Sequence, residues 1–66
     1  MHSIGIDIGG TKIAGALVSD DGRIVEELRQ PTPAGDPAAI MDLVVAMIER
    51  LRVGHEVIAA GVAAAG

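Results

Sequence analysis

Apolar Ile4, Ile6 and Ile8 alternate with Ser3, Gly5 and Asp7, the two-residue period of a strand with one buried face. Beyond Gly9, Gly10 and Thr11, the run Ile13-Ala14-Gly15-Ala16-Leu17-Val18 carries no cap or helix-start signal. The chain is therefore expected to turn back on itself, with residues 12–19 as the second strand of a hairpin. Gly15 weakens that strand unless another backbone or a ligand comes close to it. Ser19-Asp20-Asp21-Gly22 reads as the next hairpin turn, with Gly22 supplying a left-handed position. Residues 23–30 place Ile24 and Leu28 among Glu26, Glu27 and Arg29, which suits a solvent-facing edge strand.

The period then changes. Residues 31–37 have neither pattern and read as a loop, closed by Asp36 as N-cap and Pro37 as the first helical residue. Ile40, Leu43, Val44, Met47, Ile48 and Leu51 recur at helical spacing and predict one amphipathic helix. Asp42, Glu49, Arg50 and Arg52 mostly take the other side, the two arginines lie at the negative end of the helix dipole, and Gly54 is the expected C′ residue. The methionines read as ordinary core. Residues 56–62 predict a fourth strand. Ala63-Ala64-Ala65 would also suit a helix by propensity, but a hairpin, a crossover helix and a return strand make the consistent unit. The return strand would lie parallel to the first through a right-handed crossover. The predicted class is α/β: three antiparallel strands, a crossover helix and a fourth strand parallel to the first.

Composition bounds this picture. At 66 residues the chain is at most one small domain, of a size that buries only roughly 60% of the surface its unfolded form exposes. Half of the residues are hydrophobic and the mean hydropathy is +0.48, which argues against disorder. Phe, Trp, Tyr and Cys are absent, so the core rests on Ile, Val, Leu, Met and Ala with no disulfide to staple it. Marginal stability in isolation is expected. The net charge of −4 comes from scattered acids, and with neither a basic patch nor aromatics for base stacking a nucleic-acid partner is not expected. There is no basic leader ahead of an apolar core and no apolar run long enough to span a bilayer, so a soluble cytoplasmic protein without a membrane partner is the expectation. No repeat, low-complexity tract or internal domain boundary interrupts the chain.

The chemistry gathers where the first strand ends. Asp7, Gly9, Gly10, Thr11 and Lys12 put a carboxylate, two glycines, a hydroxyl and an ammonium on one hairpin tip, a set suited to a polyphosphate with its Mg²⁺. Glycine-rich turns can take positive φ and present bare N–H groups that form a concave anion site. Thr11 adds a hydroxyl donor and Lys12 a point charge against phosphate. Asp7 would be repelled by phosphate, so its expected role is to hold Mg²⁺, through water, because this cation keeps much of its hydration shell. Two familiar phosphate loops are excluded. Lys12 follows Thr11 rather than a glycine, against the G-x-x-x-x-G-K-[ST] pattern, and Gly5, Gly9 and Gly10 lack the G-x-G-x-x-G spacing. A plain tight hairpin would explain the glycines, but not the Asp before them and the Thr-Lys after them.

Other polar groups have quieter readings. Asp20 and Asp21 fit solvated turn acids better than a metal pair, and Glu26 and Glu27 lie on an edge that implies no concave site. His55 is expected to be an exposed, titrating loop residue and His2 a bland one near the terminus. Two isolated histidines without Cys or Asp at ligand spacing make no zinc site.

Asp7-Ile8-Gly9-Gly10-Thr11-Lys12 resembles the first phosphate motif of the actin, Hsp70 and sugar-kinase superfamily, whose fold is ribonuclease H-like. The longer stretch Ile4 to Ala14 is similar to the ROK family (repressors, open reading frames and kinases), and within it to the bacterial glucokinases. The likeness continues through Asp20-Asp21-Gly22-Arg23-Ile24 and Pro31-Thr32-Pro33 to Gly61-Val62-Ala63-Ala64-Ala65-Gly66. It implies that residues 1–66 are part of the N-terminal, nucleotide-binding lobe of a longer enzyme that phosphorylates glucose to glucose 6-phosphate with ATP.

On that resemblance Gly9, Gly10, Thr11 and Lys12 would contact the ATP phosphates, Asp7 would organise Mg²⁺, and Gly66 would lie near the sugar cleft at the end of the fourth strand. Ala63 departs from the glycine often found at its position in the family. The catalytic Asp of an Asn-Asp pair, the sugar-contacting Glu and His, the adenosine motif and a structural zinc site are expected beyond Gly66. The 66-residue chain alone is therefore expected to be inactive, and the full-length enzyme to be a homo-oligomer. The alternatives are a ROK transcriptional repressor or sugar sensor, and a kinase for fructose, N-acetylmannosamine or allose. A repressor would carry a winged-helix domain ahead of the motif, which here lies close behind Met1. A polyphosphate-dependent enzyme usually differs after the Gly-Gly pair.

Overall fold

The computed structural model describes residues 1–64. The elements run β1 (His2–Ile8), β2 (Lys12–Ser19), β3 (Ile24–Pro31), α1 (Pro37–Leu51) and β4 (Val57–Ala64). They form a mixed sheet in the order β3-β2-β1-β4. β2 is antiparallel to both β1 and β3, and β4 is parallel to β1. The predicted arrangement is therefore present, and Ala63 and Ala64 belong to the strand rather than to a helix.

Alternation along β1 and β2 explains where the core sits. Ile4 pairs with Leu17, Ile6 with Gly15 and Ile8 with Ile13, so these side chains share the sheet face that receives α1. Ile4, Ile6, Ile13 and Leu17 are buried there against Val44, Met47 and Leu51, with Ile40, Leu43 and Ile48 packed around them. The close approach at Gly15 comes from side chains rather than from a backbone or ligand. A Cβ there would stand 2.9 Å from Ile6 Cδ1, 3.1 Å from Met47 Cε and 3.2 Å from Leu51 Cδ1. Glycine in mid-strand is what lets the helix settle onto the sheet. Met47 is core as expected, but Met41 is exposed on the far side of the helix.

The ends of α1 follow local chemistry. Asp36 Oδ1 accepts the Ala38 N–H at 3.0 Å and the Ala39 N–H at 3.4 Å, with Pro37 in the first turn. At the other end the C-cap is Arg52, so Gly54, at φ +78°, lies one residue beyond the expected C′ position. It sits in a further turn closed by the His55 N–H on the Arg52 carbonyl at 3.0 Å.

At the edges the register adds one detail and one expectation is corrected. Ile24 and Leu28 do not share a face: the β2–β3 register shifts between Leu17 and Val18, so Leu28 packs on the core while Ile24 is 55% exposed. His55 is half-buried, its ring 4.7 Å from that of His2, because the turn after α1 lays it against the start of β1. The opposite sheet face carries Gly5 and Asp7 from β1, Ala14 and Ala16 from β2, and Gly61 and Ala63 from β4, and no described element covers it. No helix among the described residues is long and apolar enough to cross a membrane.

Candidate functional site

Asp7, Gly9, Gly10, Thr11 and Lys12 meet where β1 turns into β2, as the sequence predicts. Gly66 lies outside the described residues. Ile8 and Ile13 pair across the hairpin, and the Gly9 N–H donates to the Lys12 carbonyl at 2.8 Å. A residue from elsewhere completes the turn. The Thr32 N–H donates to the Thr11 carbonyl at 3.0 Å, and the Thr32 hydroxyl donates to the Gly9 carbonyl at 2.8 Å.

The carbonyls of Gly9, Thr11 and Lys12 are all occupied in this way. Among the described residues, the N–H groups of Gly10 and Thr11 meet no protein acceptor. Unspent donors beside tied-off carbonyls favour an anion.

The glycines reach this state by a different route from the one expected. Neither Gly9 nor Gly10 has positive φ; among the described residues Gly22, Gly35 and Gly54 do. Gly9 is required by space, since a Cβ there would stand 2.9 Å from the Lys12 carbonyl oxygen. A Cβ on Gly10 would meet nothing within 4 Å, so Gly10 leaves room for close approach from outside.

Asp7 pairs with Ala14 on one side and Ala63 on the other, so no bulky neighbour crowds its exposed carboxylate. Among the described residues it enters no ion pair, and neither does the exposed Lys12. Strand alternation puts both on the face opposite α1, since Ile8 and Ile13 beside them point the other way. No group of three or more His, Cys, Asp or Glu gathers as a metal cage among the described residues. A cation here would rest on Asp7, water and phosphate oxygens, a donor set that fits Mg²⁺ and does not fit zinc.

Two residues near the tip were not anticipated. Arg29 of β3 pairs with Ala14 and so reaches the same face, its guanidinium 3.7 Å from Glu27. Thr32 carried only a resemblance in the sequence. Its signal would have been its register: in the β2–β3 ladder Lys12 faces Pro31, which sets Thr32 opposite Thr11.

Residues 3–66 match the ROK family. Over 64 residues the chain is 48% identical to the glucokinase of Streptomyces coelicolor, covering 97% of this chain and 20% of that protein. Over 54 residues it is 44% identical to the N-acetylmannosamine kinase of Escherichia coli, covering 80% of this chain and 19% of that one. The crystal structure of a ROK family glucokinase from Streptomyces griseus in complex with glucose and AMPPNP superposes with a TM-score of 0.90 at 41% identity, covering 100% of this chain and 21% of that one. The chain thus spans about a fifth of the length of the curated relatives it matches. Its sheet, with β4 parallel to β1 across one helix, has the actin-like architecture of the ROK kinases. On sequence and fold together, the chain belongs to the ROK family.

Proposed function

We propose that residues 1–66 are part of the N-terminal nucleotide-binding lobe of an ATP-dependent sugar kinase, and that its sugar is glucose. The observation that carries this reading is the hairpin tip, where the Gly10 and Thr11 N–H groups are unspent and Lys12 and Asp7 are unpaired on one face among the described residues. The glucokinase relatives, and the neighbouring structure with glucose and AMPPNP, support the choice of substrates.

Phosphoryl transfer leaves the protein mainly positioning and charge neutralisation to perform. In this reading the N–H groups of Gly10 and Thr11 hold phosphate oxygens, and the Thr11 hydroxyl adds a donor. Lys12 brings its ammonium against the phosphates as a point charge. Asp7 accepts hydrogen bonds from the water shell of Mg²⁺, the ion that would screen the phosphate charge. This assigns the tip to the phosphoryl donor and leaves no described carboxylate there to take the proton of a sugar hydroxyl. The segment on its own is therefore inactive in this account.

The test is ADP release by the full-length protein that contains this chain, with MgATP and a panel of glucose, N-acetylmannosamine, fructose and allose. Turnover with glucose well above the others is expected. Preference for N-acetylmannosamine, which the 44% identity to that kinase favours as a second reading, would reassign the sugar and keep the tip. No ATP-dependent transfer to any of them would overturn the proposal.

A further inference from the structure

Thr32 faces neither substrate in the reading above, yet both of its hydrogen-bond donors end on the hairpin tip. It is half-buried at the start of the loop that leaves β3. In a two-residue hairpin the flanking residues normally exchange both N–H···O bonds. Here Gly9 and Lys12 make only one of the two, from the Gly9 N–H to the Lys12 carbonyl at 2.8 Å. The Gly9 carbonyl, which the Lys12 N–H would otherwise take, accepts the Thr32 hydroxyl at 2.8 Å instead. The Thr32 N–H meanwhile holds the Thr11 carbonyl at 3.0 Å.

We propose that Thr32 is a positioning residue for the phosphate site: its hydroxyl occupies the Gly9 carbonyl from outside, so that the turn does not close on its own donors. The inference rests on the tip binding the ATP phosphates. The Thr32 backbone bond alone would fasten the β3 loop to the tip, and any residue except proline could make it. The hydroxyl bond is specific to the side chain, and it determines which donor satisfies the Gly9 carbonyl. With that hydroxyl gone, the donor opposite the Gly9 carbonyl in the hairpin register is the Lys12 N–H. Making that bond rotates the Gly9–Gly10 and Thr11–Lys12 peptides and withdraws donors from the anion.

The experiment compares Thr32→Val, Thr32→Ala and Thr32→Ser with the full-length enzyme. KM for ATP, KM for the sugar, kcat and Tm are read for each. Thr32→Val keeps the branched shape and the backbone N–H. It should raise KM for ATP about tenfold, the scale of one lost hydrogen bond at a binding site, and leave KM for the sugar within about twofold. Thr32→Ser should restore the ATP value. Should Thr32→Val fold poorly, Thr32→Ala must show the same split between the two KM values. A Thr32→Val or Thr32→Ala enzyme with an unchanged KM for ATP, or with both KM values raised alike, would overturn the role of Thr32 while leaving the kinase reading intact. A full-length wild type that transfers phosphate from ATP to no sugar would instead remove the reading on which it rests.

Discussion

At one end of β2 the chain turns through Asp20, Asp21 and Gly22, and at the other through Gly10 and Thr11. Both turns hold glycine and a hydroxyl and have a carboxylate within or just before them, but they use their polar groups in opposite ways. In the first, Gly22 sits at φ +83° and its N–H donates to the Ser19 carbonyl at 3.0 Å, while the Ser19 N–H meets the Arg23 carbonyl at 2.9 Å. The Ser19 hydroxyl donates to the Asp21 carboxylate, which also accepts the Arg23 N–H at 3.3 Å. The turn is closed by its own residues. In the second, the carbonyls of Gly9, Thr11 and Lys12 are tied off, partly by Thr32 from another segment, and the Gly10 and Thr11 N–H groups are left over among the described residues. Glycine content does not separate a structural turn from a binding one. Unspent donors do.

This contrast is open to attack by mutation in the full-length protein. The largest effect is expected from Asp7→Ala, which should lower kcat about a hundredfold, the range seen when an electrostatic partner of the reacting charge is removed. Tm should hardly move, because Asp7 is exposed and unpaired among the described residues. A kcat near wild type would strip Asp7 of its role. Lys12→Ala comes next and should raise KM for ATP about tenfold while sparing KM for the sugar, as loss of a charged hydrogen bond to phosphate predicts. The reverse split in a steady-state assay would place Lys12 elsewhere.

At the self-closed turn the pattern should invert. Gly22→Ala forces a side chain into the left-handed region and should destabilise by about 1 kcal/mol in chemical denaturation, with kcat and both KM values unchanged. A change in ATP affinity there would break the division of labour between the two turns.

The smallest expected effect is a pH dependence at the same turn. The hydrogen bond from the Ser19 hydroxyl, and then that from the Arg23 N–H, holds the Asp21 carboxyl below its ordinary value of 3.8. A depressed folded-state pKa contributes stability that is fully present above the unfolded pKa and is lost as pH falls through the folded one. Between neutral pH and that window Asp21 contributes a constant amount, and below it the amount declines. Asp21→Asn should flatten the acid limb of a Tm-against-pH curve slightly, and an unchanged limb would deny the shift any link to folding.

How far the sequence carried this picture differs between the same two regions. Gly22, the Asp36 cap and the alternation of Ile4, Ile6 and Ile8 are signalled by residues adjacent in the chain, and the structure has them where the pattern places them. That Asp7, Gly9, Gly10, Thr11 and Lys12 meet at one hairpin tip was legible for the same reason. The bracing of the tip was not, because it comes from Thr32, which is distant in sequence and arrives only through the β2–β3 register. The expected positive φ at Gly9 and Gly10 failed on the same ground: local composition suggests freedom of rotation, whereas the fold uses Gly9 for its missing Cβ beside the Lys12 carbonyl. The face that Ile24 takes was not legible, because a register shift flips a side chain to the other face without leaving a mark in the period. His55 was misplaced because its neighbour His2 belongs to the opposite end of the chain.

The central claim is that the β1–β2 turn offers its free donors to phosphate and the β2–β3 turn does not. Backbone amide NMR reads it most directly, on the isotope-labelled full-length protein titrated with Mg²⁺ and AMPPNP. The account predicts saturable shifts of the Gly10 and Thr11 amides, with Gly22 and Arg23 unmoved. Saturable binding that leaves Gly10 and Thr11 where they were would contradict it.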